Sequence, residues 1–171
     1  AKKKNILVLL PYFDREIKYI INLINGICNF DLPFHVKFHP AVSIIKYKKL
    51  LLNEVVISND DIYDLFKTTK IVIGAATGSM VEAACFSIPS IVVKNIDGMT
   101  LNYFDDYGKG IIWDYAENSN DIMLLLNKFN KTLNQNNSID KLKECANYYK
   151  DNYFSKPTKD AIINAFDLDS E

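Results

Sequence analysis

The stretch from residue 70 to residue 93, KIVIGAATGSMVEAACFSIPSIVV, constrains the fold of this chain more than any other segment. Its apolar, β-branched residues 71–73 predict a strand buried on both faces. The small residues 74–78 predict a tight turn, and residues 79–86 predict a short helix. Ile88 and Pro89 end that helix, and residues 90–93 predict a second buried strand. The segment therefore predicts a strand–turn–helix–strand unit.

The turn before that helix, residues 76–79 from Ala76 to Ser79, is the first candidate binding site. Backbone N–H groups at a helix N-terminus favour a phosphate or a carboxylate, and the hydroxyls of Thr77 and Ser79 lie beside them, with Gly78 between. The alternative is that Ser79 caps the helix and the turn binds nothing. Glu82 either completes a capping box with Ser79 or reaches a crevice, where its carboxylate would accept hydrogen bonds from ribose hydroxyls.

The rest of the chain repeats the alternation of strand and helix. Strands are predicted at residues 5–10, 35–39, 55–57, 71–73, 90–93 and 110–113. Helices are predicted after an Asp14 N-cap, at residues 43–52, after a cap at residues 58–61, at residues 79–86, and finally at about 119–133, 139–150 and 157–168, with Pro157 in the first turn of the last one. This order predicts an α/β, Rossmann-like doubly wound domain with a mostly parallel six-stranded sheet and C-terminal helices.

Length and composition fit one domain covering residues 1–171. The net charge of −1 argues against a nucleic-acid partner. No apolar run reaches the roughly 20 residues of a membrane-spanning helix. The three cysteines, Cys28, Cys85 and Cys145, are scattered in apolar contexts, which predicts buried thiols and a cytoplasmic protein.

His39 is the second candidate for a binding role, because it precedes Pro40 at the end of a predicted strand. In a doubly wound sheet, the strand ends at His39, at Tyr12 to Asp14 and at Thr77 to Ser79 converge on one crevice. His35 and His39 would lie about 13 Å apart on a strand, so no metal is predicted. The first strand lacks G-x-G-x-x-G, which argues against a dinucleotide, and no cofactor is predicted.

The remaining charged residues carry weaker signals. Lys37 and Arg15 are predicted to be solvated, although Arg15 could meet an anion in the crevice. The aspartates of the polar loops are also predicted to be solvated, because nothing pairs them with a nucleophile or a base; they are Asp97, Asp105, Asp106 and Asp114. The catalytic residues stay unknown at this stage.

Four segments together resemble the C-terminal domain of GT-B fold glycosyltransferases. They are VKFHP at residues 36–40, DIYDLF at 61–66, GSMVEAA at 78–84 and IPSIVV at 88–93. The likeness is greatest to bacterial surface-polysaccharide enzymes with a His-Pro motif and a later Ser/Thr motif. These include sialyltransferases, Kdo transferases and CDP-glycerol glycerophosphotransferases.

The resemblance implies that His39, Thr77, Gly78 and Ser79 bind the phosphate of a nucleotide donor linked to CMP, CDP or UDP, and that Glu82 holds its ribose. It also implies a preceding domain that binds the glycan acceptor and generally supplies the catalytic base. This chain has no room for that domain and begins at Ala1, so we expect it to be the C-terminal half of a two-domain enzyme. Whether the longer protein would associate peripherally with a membrane stays open.

Two other functions remain open from the sequence. One is a nucleotide-sugar enzyme of the UDP-sugar 2-epimerase type, which would turn over a donor with no acceptor present. The other is a non-catalytic α/β module within a larger assembly, in which neither His39 nor Ser79 would affect the affinity for any ligand.

Overall fold

The computed structural model describes residues 3–27, 30–52, 54–75, 77–97, 100–154 and 158–166. The expectations for Cys28, Ala76 and Pro157, and for the end of the last helix at residue 168, lie outside these residues. Within the described residues the strands are β1 (Asn5–Leu9), β2 (Phe34–Lys37), β3 (Val56–Ile57), β4 (Thr69–Gly74), β5 (Ser90–Val93) and β6 (Trp113–Ala116). The α-helices are α1 (Asp14–Asn25), α2 (Ile62–Thr68), α3 (Gly78–Cys85), α4 (Ser119–Thr132), α5 (Asn136–Tyr153) and α6 (Lys159–Phe166).

The strands form one sheet in the order β3-β2-β1-β4-β5-β6. Every neighbouring pair is parallel, so the sheet is wholly parallel where the sequence predicted a mostly parallel one. The order runs outward in both directions from the β1–β4 pair, which confirms the predicted doubly wound, Rossmann-like fold. In such a sheet the strand order reverses between β1 and β4, and a crevice opens there outside the carboxyl ends of the strands.

Two hydrophobic cores lie on the two faces of the sheet. Ile6 and Val8 of β1 pack with α1 and α4 on one face, and Leu7 and Leu9 pack with α2, α3 and α5 on the other. Successive side chains of a strand point to opposite faces, so a strand covered by helices on both faces must be apolar throughout. The continuous apolar run of β1, all five residues of which are buried, is the consequence of that requirement.

Gly74 ends β4, where it pairs with Leu9 of β1. A Cβ atom at this position would lie 2.9 Å from the Leu9 carbonyl oxygen and 3.3 Å from the Leu9 Cβ atom. The carbonyl belongs to the backbone of the central strand and cannot move aside cheaply. The small residue is therefore required for strand packing, whereas Gly78 at the start of α3 has no neighbour within 4 Å of such a Cβ atom.

We expect a Gly74→Ala variant to lose about 1–3 kcal/mol of unfolding free energy, the usual cost of overpacking a close-packed interior. The measurement is urea denaturation followed by tryptophan fluorescence. Gly78→Ala is the matched control and should be neutral or slightly stabilising, because alanine favours a helix and its methyl group meets open space. Equal losses in both variants would contradict the close approach of β1 and β4.

Several predicted element boundaries differ from those of the structure; α5, for example, begins at Asn136 instead of residue 139. The last strand begins at Trp113 instead of residue 110, because Gly108 and Gly110 adopt left-handed backbone conformations that belong to a turn. Residues 43–52 form two short 3₁₀ turns, Ile44–Lys46 and Lys48–Leu50, instead of one helix. The helix predicted at residues 79–86 is α3, and each of its bounds, Gly78 and Cys85, differs from the prediction by one residue.

Asp14 is the first residue of α1 and does not cap it; Phe13 occupies the N-cap position without a side-chain bond. The Asp14 carboxylate instead accepts hydrogen bonds from Lys18, Lys46 and Tyr47, which lower its pKa. These contacts tie the first 3₁₀ turn to α1. The predicted cap at residues 58–61 is confirmed, since Asp61 accepts a hydrogen bond from the Tyr63 N–H at 2.9 Å.

Candidate functional site

A cleft of about 360 Å³ lies outside the carboxyl ends of the central strands. Lys37, Leu9, Gly74 and Val92 align in register at these strand ends. The residues that follow them line the cleft: Pro11, Tyr12 and Phe13 after β1, His39 after β2, Thr77 and Gly78 after β4, and Lys94 and Asn95 after β5. The cleft therefore occupies the place where the strand order reverses, as the sequence predicted.

The amino end of α3 forms one wall of this cleft. Thr77 is the N-cap residue, and its Oγ1 accepts a hydrogen bond from the Ser79 N–H at 3.3 Å. The capping box of Ser79 and Glu82, one of the two alternatives for Glu82, is therefore excluded, because Thr77 and not Ser79 occupies the N-cap position. Gly78 is exposed, so its backbone is open to an approaching group. An N–H group there, with the positive end of the helix dipole, suits an anion.

His39 lies opposite, two residues beyond the end of β2. Its Nδ1 accepts a hydrogen bond from the Ala41 N–H at 3.2 Å, and the Tyr12 ring meets its imidazole edge to face at 5.6 Å between centroids. Because Nδ1 acts as acceptor, the proton of the neutral ring resides on Nε2. The free nitrogen of this exposed imidazole is thus a donor beside the cleft. The Ala41 N–H and the Tyr12 ring hold the imidazole in place.

A smaller cavity of about 110 Å³ adjoins the cleft on the β2 side. His39 and Thr77 line both cavities, and Ser79 lines only the smaller one. The Lys37 side chain also borders the smaller cavity, where its Nζ donates to the Asp60 carbonyl oxygen at 2.7 Å. The fold thus brings four of the five site residues expected from the sequence around two adjoining cavities.

Glu82 lies one turn into α3 and is half-buried. It is not among the residues that line the two cavities. The Tyr63 hydroxyl of α2 is hydrogen-bonded to the Glu82 carboxylate, and this contact raises the pKa of Tyr63. The same carboxylate adds to burial in raising the pKa of Cys85 to about 11. In this structure Glu82 thus faces α2, and its predicted role with a ribose stays a prediction.

Glu16 and Asn95 also line the cleft, and the sequence reasoning missed both. Glu16 could have been predicted from its position in the first turn of α1, because that turn directly follows the end of β1 at the same crevice. Arg15, its neighbour, does not enter the cleft lining and instead pairs with Asp97 at 2.8 Å on the exposed surface.

The loop that closes the far side of the cleft is anchored by Asp105. Thr100, Leu101 and Tyr103 of this loop line the cleft. The Asp105 carboxylate accepts hydrogen bonds from the hydroxyls of Tyr148 and Tyr149 of α5. The expectation that Asp105 is simply solvated was therefore wrong, because two tyrosines more than 40 residues away in sequence converge on it.

Burial alone would raise the pKa of Asp105. Hydrogen bonds from the Tyr148 hydroxyl, from the Tyr107 N–H and from the Tyr149 hydroxyl outweigh burial and lower that pKa below its usual value. The hydrogen bond between Tyr148 and Asp105 also raises the pKa of Tyr148 to about 12. A lowered pKa of the aspartate and a raised pKa of the tyrosine both favour the ionised Asp105 carboxylate, which anchors the loop against α5.

The described ranges contain neither a group of metal-ligating side chains nor a membrane-spanning helix. Within those ranges no three histidine, cysteine or acidic side chains are grouped so that they could hold a metal ion. None of the described helices is both long and apolar enough to cross a membrane. Cys145 is buried, as predicted, and Cys85 is half-buried.

No protein-family model and no curated protein sequence matches this chain. Solved structures do match its fold. A structure of the wall teichoic acid polymerase TagF soaked with CDPG has a TM-score of 0.56 at 15% identity, over 98% of this chain and 41% of that one. The glycosyltransferase SnogD from Streptomyces nogalater has a TM-score of 0.59 at 16% identity, over 86% and 40%.

A third similar structure is a putative UDP-N-acetylglucosamine 2-epimerase from Listeria monocytogenes. Its TM-score is 0.60 at 12% identity, over 98% of this chain and 46% of that one. The chain therefore spans less than half the length of each of these proteins. At these identities the likeness shows the fold, which is the Rossmann-like fold of a GT-B domain.

Proposed function

We propose that this chain is the domain that binds a nucleotide-activated sugar or polyol in a glycosyltransferase that builds a bacterial surface polysaccharide. One observation carries the proposal. His39, Thr77 and Gly78, which come from two different strand ends, line a single cleft where the strand order of the sheet reverses. That is where open α/β sheets bind nucleotides.

The donor phosphate would bind between the amino end of α3 and His39. The Gly78 N–H, the hydroxyls of Thr77 and Ser79, and the His39 Nε2–H would donate hydrogen bonds to that phosphate. Donors held in place by the fold stabilise the negative charge that develops on the departing nucleotide, and this is how such a site would promote transfer. The preceding domain expected from the sequence would bind the glycan acceptor and supply the catalytic base.

The proposal also covers the class of nucleotide and the compartment in which the longer protein would act. The donor would be linked to CMP, CDP or UDP, and the enzyme would act in the cytoplasm. Glu82 would hold the ribose only if its contact with Tyr63 opens, since it now faces α2.

The first experiment measures thermal stability of the chain with CMP, CDP, UDP, GDP and ADP. A ligand that binds only the folded state at a hundredfold excess over Kd stabilises it by about 2.7 kcal/mol. We expect the nucleotides of one base to raise the melting temperature. His39→Ala should weaken the binding of those nucleotides by about tenfold, because it removes one hydrogen bond to a charged group.

His35→Ala is the matched control, because the second histidine lies within β2 and outside both cavities. It should leave the affinity unchanged. If no nucleotide stabilises the chain, or if His39→Ala and Ser79→Ala change no affinity, the proposal that this chain binds the donor by itself is wrong, and the chain is either a half-site that needs the preceding domain or a non-catalytic α/β module.

A 2-epimerase domain is the second candidate, favoured by the structural likeness to the Listeria monocytogenes protein. The two candidates share the phosphate site and differ in the need for an acceptor. Incubating the longer protein with a UDP-sugar alone distinguishes them, since an epimerase converts the donor to its epimer and a transferase leaves the sugar configuration unchanged.

A further inference from the structure

The cleft contains a second polar group, formed by Glu16, Asn95 and Thr100, which we call the acidic corner. The Asn95 side-chain amide donates to Glu16 Oε1 at 3.1 Å. The Asn95 backbone N–H donates to Thr100 Oγ1 at 2.8 Å. All three residues are half-buried and line the cleft. The corner is thus a fixed arrangement, joined by hydrogen bonds between α1 and the segment after β5.

The acidic corner lies at the other end of the cleft from His39. Asn95 follows β5 and His39 follows β2, and these two strands are separated by β1 and β4 in the sheet. Three strand spacings amount to about 14 Å. A ligand whose phosphate lies between His39 and Gly78 would therefore present another part of itself to the acidic corner.

The charge of the corner is not neutralised by the basic residues around it. Lys94 lines the same cleft, but its Nζ pairs with Glu117 at 2.6 Å. Arg15, beside Glu16 in sequence, pairs with Asp97. Among the described residues that line the cleft, Glu16 is the one carboxylate. An anionic group at this end would meet a like charge in a half-buried setting, where screening by water is reduced.

The hydrogen-bonding capacity of the corner suits hydroxyl groups. A carboxylate offers about four acceptor positions, and Glu16 uses one of them for Asn95. The Asn95 amide keeps a second N–H, and the Thr100 hydroxyl can donate its own hydrogen while its oxygen accepts from Asn95. Acceptors and donors held side by side match neighbouring hydroxyls of a sugar or polyol.

We propose that the acidic corner binds the transferred group of the donor and selects a neutral, hydroxyl-bearing sugar or polyol against one that carries a carboxylate. This inference rests on the proposed function, because it takes the phosphate site as given. It narrows the substrate class: among the donors used by the enzymes this sequence resembles, it favours the polyol type over acidic sugars such as sialic acid and Kdo.

The test compares the dissociation constants of matched ligands by calorimetry. UDP-glucose and UDP-glucuronic acid differ by one carboxylate and are each compared with UDP; CDP-glycerol and CMP-sialic acid are compared with CDP and CMP. We expect the neutral donors to bind at least as tightly as their nucleotides, and the acidic ones to bind at least about tenfold more weakly.

Glu16→Gln should reduce that penalty to about twofold or less, with each donor compared with the corresponding nucleotide bound to the same variant. Glu54→Gln is the control, since it removes an equal charge from a residue that lies outside the cleft. If neutral and acidic donors bind equally well while the nucleotides still bind, the selection by Glu16 is overturned and the proposed function stands. Failure of every nucleotide to bind would overturn the proposed function and this inference together.

Discussion

A Gly78→Asp variant is expected to lose nucleotide binding while it keeps its fold. Gly78 is the first residue of α3, and a Cβ atom there meets nothing within 4 Å. An aspartate in the first turn of a helix is favourable for the helix dipole, so we expect the melting temperature to be unchanged or slightly higher. The same charge would stand where the proposed donor phosphate binds.

The expected size of the loss is at least about a hundredfold in Kd, because two like charges about 4 Å apart near a protein surface repel by about 4 kcal/mol. Gly78→Asn is the matched variant, with nearly the same shape and no charge. It should weaken binding far less, by under about tenfold. Calorimetric titration with the nucleotide that stabilises the wild-type chain measures both. Equal Kd values for the two variants would mean that no phosphate lies beside Gly78.

Asp105→Ala is expected to cost about 3 kcal/mol or more of unfolding free energy. The change removes the acceptor of hydrogen bonds from Tyr148, Tyr149 and the Tyr107 N–H, and bonds to a charged group contribute about 1.5–3 kcal/mol each. The buried Tyr149 hydroxyl keeps the Tyr107 carbonyl oxygen as an acceptor at 2.7 Å, so the loss comes mainly from the Tyr148 hydroxyl and the Tyr107 N–H. Urea denaturation measures the loss.

Asp106→Ala serves as the control for that variant, because the neighbouring aspartate is exposed. It should change the unfolding free energy by less than about 0.5 kcal/mol, as is usual for surface positions. Similar losses in the two variants would show that the loop, and not the bonds to the tyrosines, is sensitive to substitution.

The stability that Asp105 contributes should also depend on pH. Its pKa is lower in the folded protein than the usual value, so the folded state favours the ionised carboxylate. That contribution is complete above the ordinary aspartate pKa of about 4 and is lost as the pH falls through the lower, folded-state pKa. The unfolding free energy of the wild type should therefore fall below about pH 4 more steeply than that of Asp105→Ala.

Much of the fold could be predicted because its information is local. Apolar runs such as residues 5–10 and 90–93 identify strands buried on both faces, and the observed bounds differ from these by at most one residue. Strand ends follow from the strands, which is why the convergence of His39 and Thr77 on one crevice was foreseeable. The last strand was misplaced because it lies at the edge of the sheet, where Asp114 and Tyr115 are only half-buried and the pattern is weak.

The sequence by itself determined the doubly wound sheet, the turn before α3 and the strand-end position of His39, because periodicity and turn residues act over a few neighbouring positions. Only the tertiary structure decided which polar groups share the cleft and which ones anchor the loop beside it. Glu16 and Asn95 are 79 residues apart, and Asp105 and Tyr148 are 43 apart. No local pattern encodes such pairs, since they exist only once the sheet has brought separate strand ends and helices to one edge.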